Sequence, residues 1–386
     1  MNVIGPEQRR STRLAFFTAG LAMATWAPLV PYAKARTGLG EAELGLLLLC
    51  FGGGSMLAMP FTGGLAARFG CRAVVLLSGY LCCLMLPALA LADSPPLLAL
   101  TLFVFGAALG TLDVAMNIQA VIVEKSAGGA LMSGFHGLFS VGGVVGAGSM
   151  AFLLWTGASP LYSCLVLSIV VAFALALAGP DLLREPDATE SNVPLLVVPH
   201  GAVIVIGGIC FVVFMAEGAM LDWSALFLTE QRGLAENRGG LAYAIFSIAM
   251  TVGRLTGDRV VGRFGGKRVM LAGGICAATG FLVAVSMQSA GAALTGFLLV
   301  GLGASNIVPI LFTAAGNQNA MPASRAIAAI TTIGYAGILS GPALIGFVAH
   351  ASSLNMAFGG LGCLMLLVAA SNRLGSAAQK TSNSNR

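Results

Sequence analysis

The residues RFGCR at positions 68–72 return at positions 263–268 as RFGGKR, with the two arginines 195 residues apart in a chain of 386. That interval is close to half the chain. The same offset carries Gly106 onto Gly301, Gly142 onto Gly337 and Gly146 onto Gly341. A register held over this distance indicates a duplicated unit of several helices.

Outward from each copy the chain is apolar over long stretches, such as LLALTLFVFGAALG at 97–110 and GAVIVIGGICFVVFM at 201–215. Hydrophobic side chains make up 57% of the whole and charged ones 9%, against roughly a quarter charged in a soluble domain. Lipid is the solvent such a chain suits. A helix needs about 20 apolar residues to cross the bilayer, whereas a β-barrel strand needs ~10 that alternate, and no alternating runs occur here. The fold class is therefore an all-α integral membrane protein of twelve transmembrane helices in two pseudo-symmetric six-helix bundles. The spans are expected to start near residues 13, 43, 73, 97, 130, 159, 201, 238, 269, 291, 326 and 353. The first span has the charge and length of a signal peptide but lacks a convincing cleavage site, and is read as a helix.

Fifty-two glycines suit close helix packing in lipid. The eight cysteines lie almost all in apolar stretches and imply neither a disulfide framework nor a metal site. The net charge of +5 reads as membrane orientation and not as nucleic-acid binding. Arg9, Arg10, Arg13, Arg68, Arg72, Arg184, Arg263, Lys267, Arg268, Arg325 and Arg373 fall on one side of the membrane, and Lys34, Arg36, Arg232 and Arg238 on the other. Both termini are then cytoplasmic. The polar, proline-bearing interval PDLLREPDATESNVPLLVVP reads as a cytoplasmic linker at 180–199 between an N-terminal bundle at 1–179 and a C-terminal bundle at 200–386.

With these residues in hand, the chain resembles the major facilitator superfamily, whose loop between helices 2 and 3 carries a pattern close to G-x-x-x-D-R-x-G-R-R. GGLAARFGCR, from Gly63 to Arg72, follows it with Ala67 for the acid and Cys71 for a base. GDRVVGRFGGKR repeats it with Gly262 at the acid position. LDVAMN (112–117), SGFHGLFSVGG (133–143) and AEGAMLDWSALFL (216–228) further resemble the YbjJ-type branch of bacterial inner-membrane proteins, which is similar to the fucose permeases. The resemblance implies a secondary active transporter in the bacterial inner membrane. It would move a sugar or sugar-like metabolite by alternating access, coupled to protons, as a functional monomer without cofactor. It also implies a helix-4 acid for proton and sugar handling, matched by Asp113 with Asn117. The second acid that the permeases carry on helix 1 has no counterpart in ATWAPLVP at 24–31. Proton-coupled efflux of drugs or metabolites is the alternative. Efflux proteins of the superfamily tend to carry G-x-x-x-G-P in helix 5, and GGVVGAG at 142–148 has no proline. A membrane enzyme would need clustered acids or a nucleophile beside a base, and neither is present.

Acids are costly in hydrocarbon and mark partners or cavities. Asp113, Asn117, Ala120 and Glu124 share one helical face. Glu217 and Asp222 lie about 140° apart around one helix, so they cannot both point the same way. Glu217 is the deeper and the better candidate, whereas Asp222 beside Trp223 suits an interface. His136 could titrate near neutral pH or pack between helices. Asn306 and Tyr335 could hydrogen-bond a polar solute. Trp26, among the helix-breaking Pro28 and Pro31, could stack on a ring. Arg254 and Asp258, four residues apart, read as a structural pair in a gate with Arg68, Arg72 and Arg263. A reporter fused after Arg386 is expected to signal from the cytoplasm, and an external signal would overturn the twelve-span topology.

Overall fold

A computed structural model describes residues 4–39, 41–184, 194, 196–235 and 238–374. Twelve long helices follow one another: α1 (Pro6–Thr37), α2 (41–69), α3 (71–91), α4 (Pro95–Ala127), α5 (Met132–Trp155), α6 (Pro160–Ala178), α7 (Ala202–Arg232), α8 (Leu241–Phe264), α9 (Gly266–Ser286), α10 (Ala290–Asn317), α11 (Ala323–Ala351) and α12 (Leu354–Ala370). Among the described residues ten stretches are long and apolar enough to cross a membrane, and one of them, Leu47–Leu91, takes in most of α2 and all of α3. The remaining helix, α8, carries Arg254, Asp258, Arg259 and Arg263, which lower its hydropathy. Most starts lie within three residues of those read from sequence. The exception is α1, which begins at Pro6 and not near 13. Its first turns hold Glu7, Arg9 and Arg10, which a hydropathy window rejects. The helix is nevertheless well started, with proline at its first position and the Gly5 amide donating to Gln8 Oε1 at 2.7 Å.

The chain clusters into two compact units. One comprises Met1–Ala127, Leu138–Val198 and Pro322–Ala329, the other Gly128–Gly137, Pro199–Met321 and Ile330–Arg386. The start of α5 thus clusters with the second unit and the start of α11 with the first. Of the linker read at 180–199, residues 185–193 and 195 lie outside the described residues. Its start is tied down within the first unit: the Leu183 amide donates to Gln119 Oε1 at 3.1 Å, and the Leu183 carbonyl accepts from the Arg72 amide at 2.8 Å.

The repeat is visible inside each unit as the same local geometry. Gly70 breaks α2 from α3 at φ 78° and ψ 153°, and Gly265, 195 positions on, breaks α8 from α9 at φ 80° and ψ 148°. L-residues avoid that region, which accounts for a glycine at the same place in RFGCR and RFGGKR. The aligned helix glycines are close-approach points. A Cβ on Gly106 would collide with the Phe51 carbonyl, and one on Gly301 with the Phe246 carbonyl. Phe51 and Phe246 are themselves 195 apart. Gly142 lies against the Phe17 carbonyl and Gly337 against that of Phe211. Gly146 meets Leu21, and Gly341 meets Met215. Without a hydrophobic force between helices in lipid, such backbone contact is a main source of packing energy.

Two arginines complete the repeat. At the end of α1, Arg36 donates through Nε to the Ala92 carbonyl at 2.8 Å and through Nη2 to that of Leu89 at 2.7 Å, capping α3. At the end of α7, Arg232 Nη2 caps α9 on the carbonyls of Ala284 at 2.6 Å and Val285 at 3.1 Å. Cations there satisfy carbonyls that have no helical donor and complement the helix dipole.

Gly106→Ala is expected to lower stability by about 1–3 kcal/mol through backbone overpacking, and Gly301→Ala by a similar amount. Gly208→Ala, where a Cβ meets open space, should be neutral or raise the melting temperature. Thermal unfolding in detergent distinguishes these; equal effects at all three positions would refute the close-contact argument.

Candidate transport site

In the second unit the polar interior is built around a break in α10. The helix runs as Ala290–Ala304, turns at Ser305 and Asn306, and resumes as Ile307–Asn317. In an unbroken helix the Ser305 carbonyl would accept from the amide of residue 309, but Pro309 has no N–H. The orphaned carbonyl accepts instead from Arg254 Nε on α8, at 3.4 Å. Asn306 Nδ2 donates to the Gly253 carbonyl at 3.1 Å and to Ser305 Oγ at 3.0 Å, joining the break to the same turn of α8. Asn306 Oδ1 is buried without a hydrogen-bond donor.

Arg254 faces a second partner as well. Its Nη2 lies 3.2 Å from Oε1 and 3.4 Å from Oε2 of Glu217 on α7, an ion pair with side chains 10% and 19% exposed. One guanidinium therefore links α7, α8 and the broken α10. Planar, multi-donor geometry suits arginine to such a junction better than lysine. Asp258, one turn further along α8, accepts at Oδ1 from the Gly134 amide in the first turn of α5, at 2.9 Å. Gly134 has no side chain where the other carboxylate oxygen sits.

In the first unit, Asp113 and Asn117 lie together on α4. Asn117 Nδ2 donates back to the Asp113 carbonyl at 2.9 Å and lies 3.5 Å from Asp113 Oδ1. Asn117 is fully buried and its Oδ1 has no donor, while Asp113 is half-buried. Ala120 and Glu124 are also buried, so the stripe read from sequence faces the interior of the helix packing. Among the described residues no cation pairs with Asp113. Trp26 is buried where α1 gives way to the short 3-10 turn Ala27–Leu29, at the proline-bearing segment.

The other candidates are spread out. His136 is buried against Phe312, with ring centres 5.5 Å apart. Tyr335 stands edge-on to Phe214 at 6.1 Å. Arg68 and Arg263 are exposed, the latter with its guanidinium 5.4 Å from the Phe264 ring centre, and Arg72 is half-buried. Sequence reading passed over Gln119, which is fully buried and links Leu183 to Thr12, with its Nε2 donating to Thr12 Oγ1 at 3.3 Å. An amide two residues from Asn117 on an apolar helix was the available signal.

Removing one member of a buried ion pair leaves the other uncompensated, so Glu217→Gln and Arg254→Met are each expected to cost about 3 kcal/mol. The double variant should cost less than the two together, with a coupling of at least ~1 kcal/mol in a double-mutant cycle of chemical unfolding. Strict additivity would mean that the pair contributes nothing as a pair.

The model of the Major Facilitator Superfamily matches residues 13–321 and again 209–383. An MFS-type transporter of Yersinia pestis is 59% identical over 369 residues, covering 96% of each chain. A transporter of Sinorhizobium fredii is 34% identical, over 93% of this chain and 96% of its own. Among solved structures, the fucose:proton symporter of Escherichia coli aligns with a TM-score of 0.73 at 17% identity, over 94% of this chain and 98% of its own, a likeness of fold. The duplicated helices, their glycine contacts and these matches together make the chain a multi-pass membrane protein belonging to the Major Facilitator Superfamily of transporters.

Proposed function

We propose that the protein is a proton-coupled secondary transporter that moves a small polar solute, a sugar or sugar-like metabolite, by alternating access. In this reading the halves 1–179 and 200–386 are the moving parts. The protein works as a monomer in the bacterial inner membrane, with both termini and the 180–199 linker in the cytoplasm, where its basic residues concentrate. The observation that carries the proposal is the contrast between two acids, Glu217 on α7 and Asp113 on α4. Glu217 is matched by Arg254, whereas Asp113 has Asn117 beside it and no cation among the described residues.

An ion-paired carboxylate is neutral as a pair and has little to gain from a proton. An unmatched carboxyl changes the buried charge by one whenever it binds or releases one. Placing a charge at the bilayer centre costs roughly 3 kcal/mol on insertion scales, and a proton crossing 100 mV yields about 2.3 kcal/mol. The two magnitudes are comparable, so protonation of Asp113 is able to decide which state of the carrier is favoured. The unmatched Asn117 Oδ1 beside it accepts a solute hydroxyl, and Trp26 in the same unit offers a stacking face for a ring-shaped polyol; within the second unit Asn306 and Tyr335 are the candidates for hydrogen bonds to a polar solute. The solved structure of the fucose:proton symporter supports this class through its fold.

A thermal-shift screen of sugars and related polyols on the purified protein identifies a solute, since a ligand of the folded form raises the melting temperature. In proteoliposomes loaded with that solute, Asp113→Asn should abolish accumulation driven by a pH gradient. Energy-independent exchange should stay within a few fold of the parent, because exchange requires no net proton release. Undiminished pH-driven accumulation in Asp113→Asn at normal protein level would remove Asp113 from coupling.

A further inference from the structure

The two halves fill one equivalent position in opposite ways. Arg254 of α8 and Met59 of α2 are 195 residues apart, in the register that aligns Phe246 with Phe51 and Gly301 with Gly106. Their neighbours correspond as well. Arg254 reaches Ser305 of α10, and the terminal methyl of Met59 lies against Gly110 of α4, the residue 195 before Ser305. Arg254 is held by Glu217 and by the carbonyl that Pro309 orphans. In the first half Ala22 stands in the place of Glu217 and Val114 in that of Pro309, and α4 runs unbroken from Pro95 to Ala127. Met59, fully buried, has neither of the partners that Arg254 has.

One acid is nevertheless within reach of this position. Contacts between α2 and α4 advance in step, from Phe51 on Gly106 to Ser55 on Gly110, which puts Met59 level with the next turn of α4, at Asp113 and Val114. Asp113 follows Gly106 by seven residues, about 20° short of two full turns, so it lies on the face of α4 that packs against α2. Among the described residues Asp113 makes no ion pair, and neither α1 between Arg13 and Tyr32 nor α2 between Cys50 and Arg68 carries a charged or titratable residue. The titratable residues of α3, Tyr80 and Cys82 among them, make no hydrogen bond or electrostatic contact with it. We propose that Met59 is a positioning residue for proton coupling: as the apolar counterpart of Arg254 it leaves the carboxyl of Asp113 without a counter-charge, and so able to take up and release a proton. The inference rests on the reading of Asp113 as the coupling acid and names the residue on which that role depends. A cation at position 59 would turn Asp113 into half of an ion pair, as Arg254 does for Glu217, and an opposite charge close by favours the ionised carboxylate.

Met59→Arg in the full-length protein supplies the missing cation. The first measurement needs no solute: melting temperatures in detergent of the parent, Met59→Arg, Asp113→Asn and the double variant. Met59→Arg should fold, and adding Asp113→Asn should lower its melting temperature by at least about 2 °C more than Asp113→Asn lowers that of the parent, since a buried arginine is left unmatched. The second measurement uses proteoliposomes and the solute found by thermal shift. Met59→Arg should lose accumulation driven by a pH gradient while exchange stays within a few fold of the parent, and Met59→Leu, apolar like methionine, should keep that accumulation. A merely structural role would lower accumulation and exchange together. If Met59→Arg does not fold, Met59→Lys replaces it, and failure of both to fold overturns the proposal, because a carboxylate within reach would accommodate the cation. Additive melting shifts overturn it too, as does undiminished pH-driven accumulation in folded Met59→Arg when Asp113→Asn has none. If Asp113→Asn itself accumulates solute normally, the coupling reading fails, and the melting cycle still tells whether residue 59 decides the charge balance of Asp113.

Discussion

Hydrocarbon supplies no hydrogen bonds, so every backbone group released inside the helix packing must find a partner within the protein. The carbonyl of Ser305 is such a group. Pro309 deprives it of its helical donor, and Arg254 both fills that vacancy and balances Glu217. Without Pro309 the arginine would have one partner fewer, and without Arg254 a carbonyl and a carboxylate would both be left in a dry interior. The broken α10, the acid on α7 and the polar character of α8 are therefore one arrangement with three visible parts.

Around it, close glycine contacts recur through both units, beside a buried cluster of Phe227, Phe281, Phe297 and Phe358 in the second. Phe51 and Phe246 offer backbone carbonyls to Gly106 and Gly301 at equivalent places, and the Gly70 and Gly265 turns share almost the same backbone angles. The two halves have diverged in most side chains while the points of closest backbone approach have stayed in register. Those points tolerate one residue type, whereas lipid-facing positions accept any apolar side chain.

That asymmetry explains what could be read from the sequence. Helix number, the repeat and the glycine register follow from spacing along one chain, where errors average out over a span. The early start of α1 was missed because Glu7, Arg9 and Arg10 are polar and still helical. The ion pair of Arg254 with Glu217 joins residues 37 apart on neighbouring helices, and the caps made by Arg36 and Arg232 reach more than 50 residues along the chain. Spacing identifies neighbours within a helix, as it did for Asp113 and Asn117, but which faces of two helices meet is decided by packing.

The attachments of α1 have a mechanical meaning. Near its beginning, Ser11 donates to the Ala178 carbonyl and Thr12 bonds to Gln119; near its end, Arg36 is bound to the last turn of α3. Between these anchors lies the short 3-10 turn at Ala27–Leu29. The close contacts of Phe17 and Leu21 with Gly142 and Gly146 brace the stretch before the joint as well, so a bend in α1 has its place between Leu21 and Arg36, and Trp26 is the aromatic side chain beside that joint.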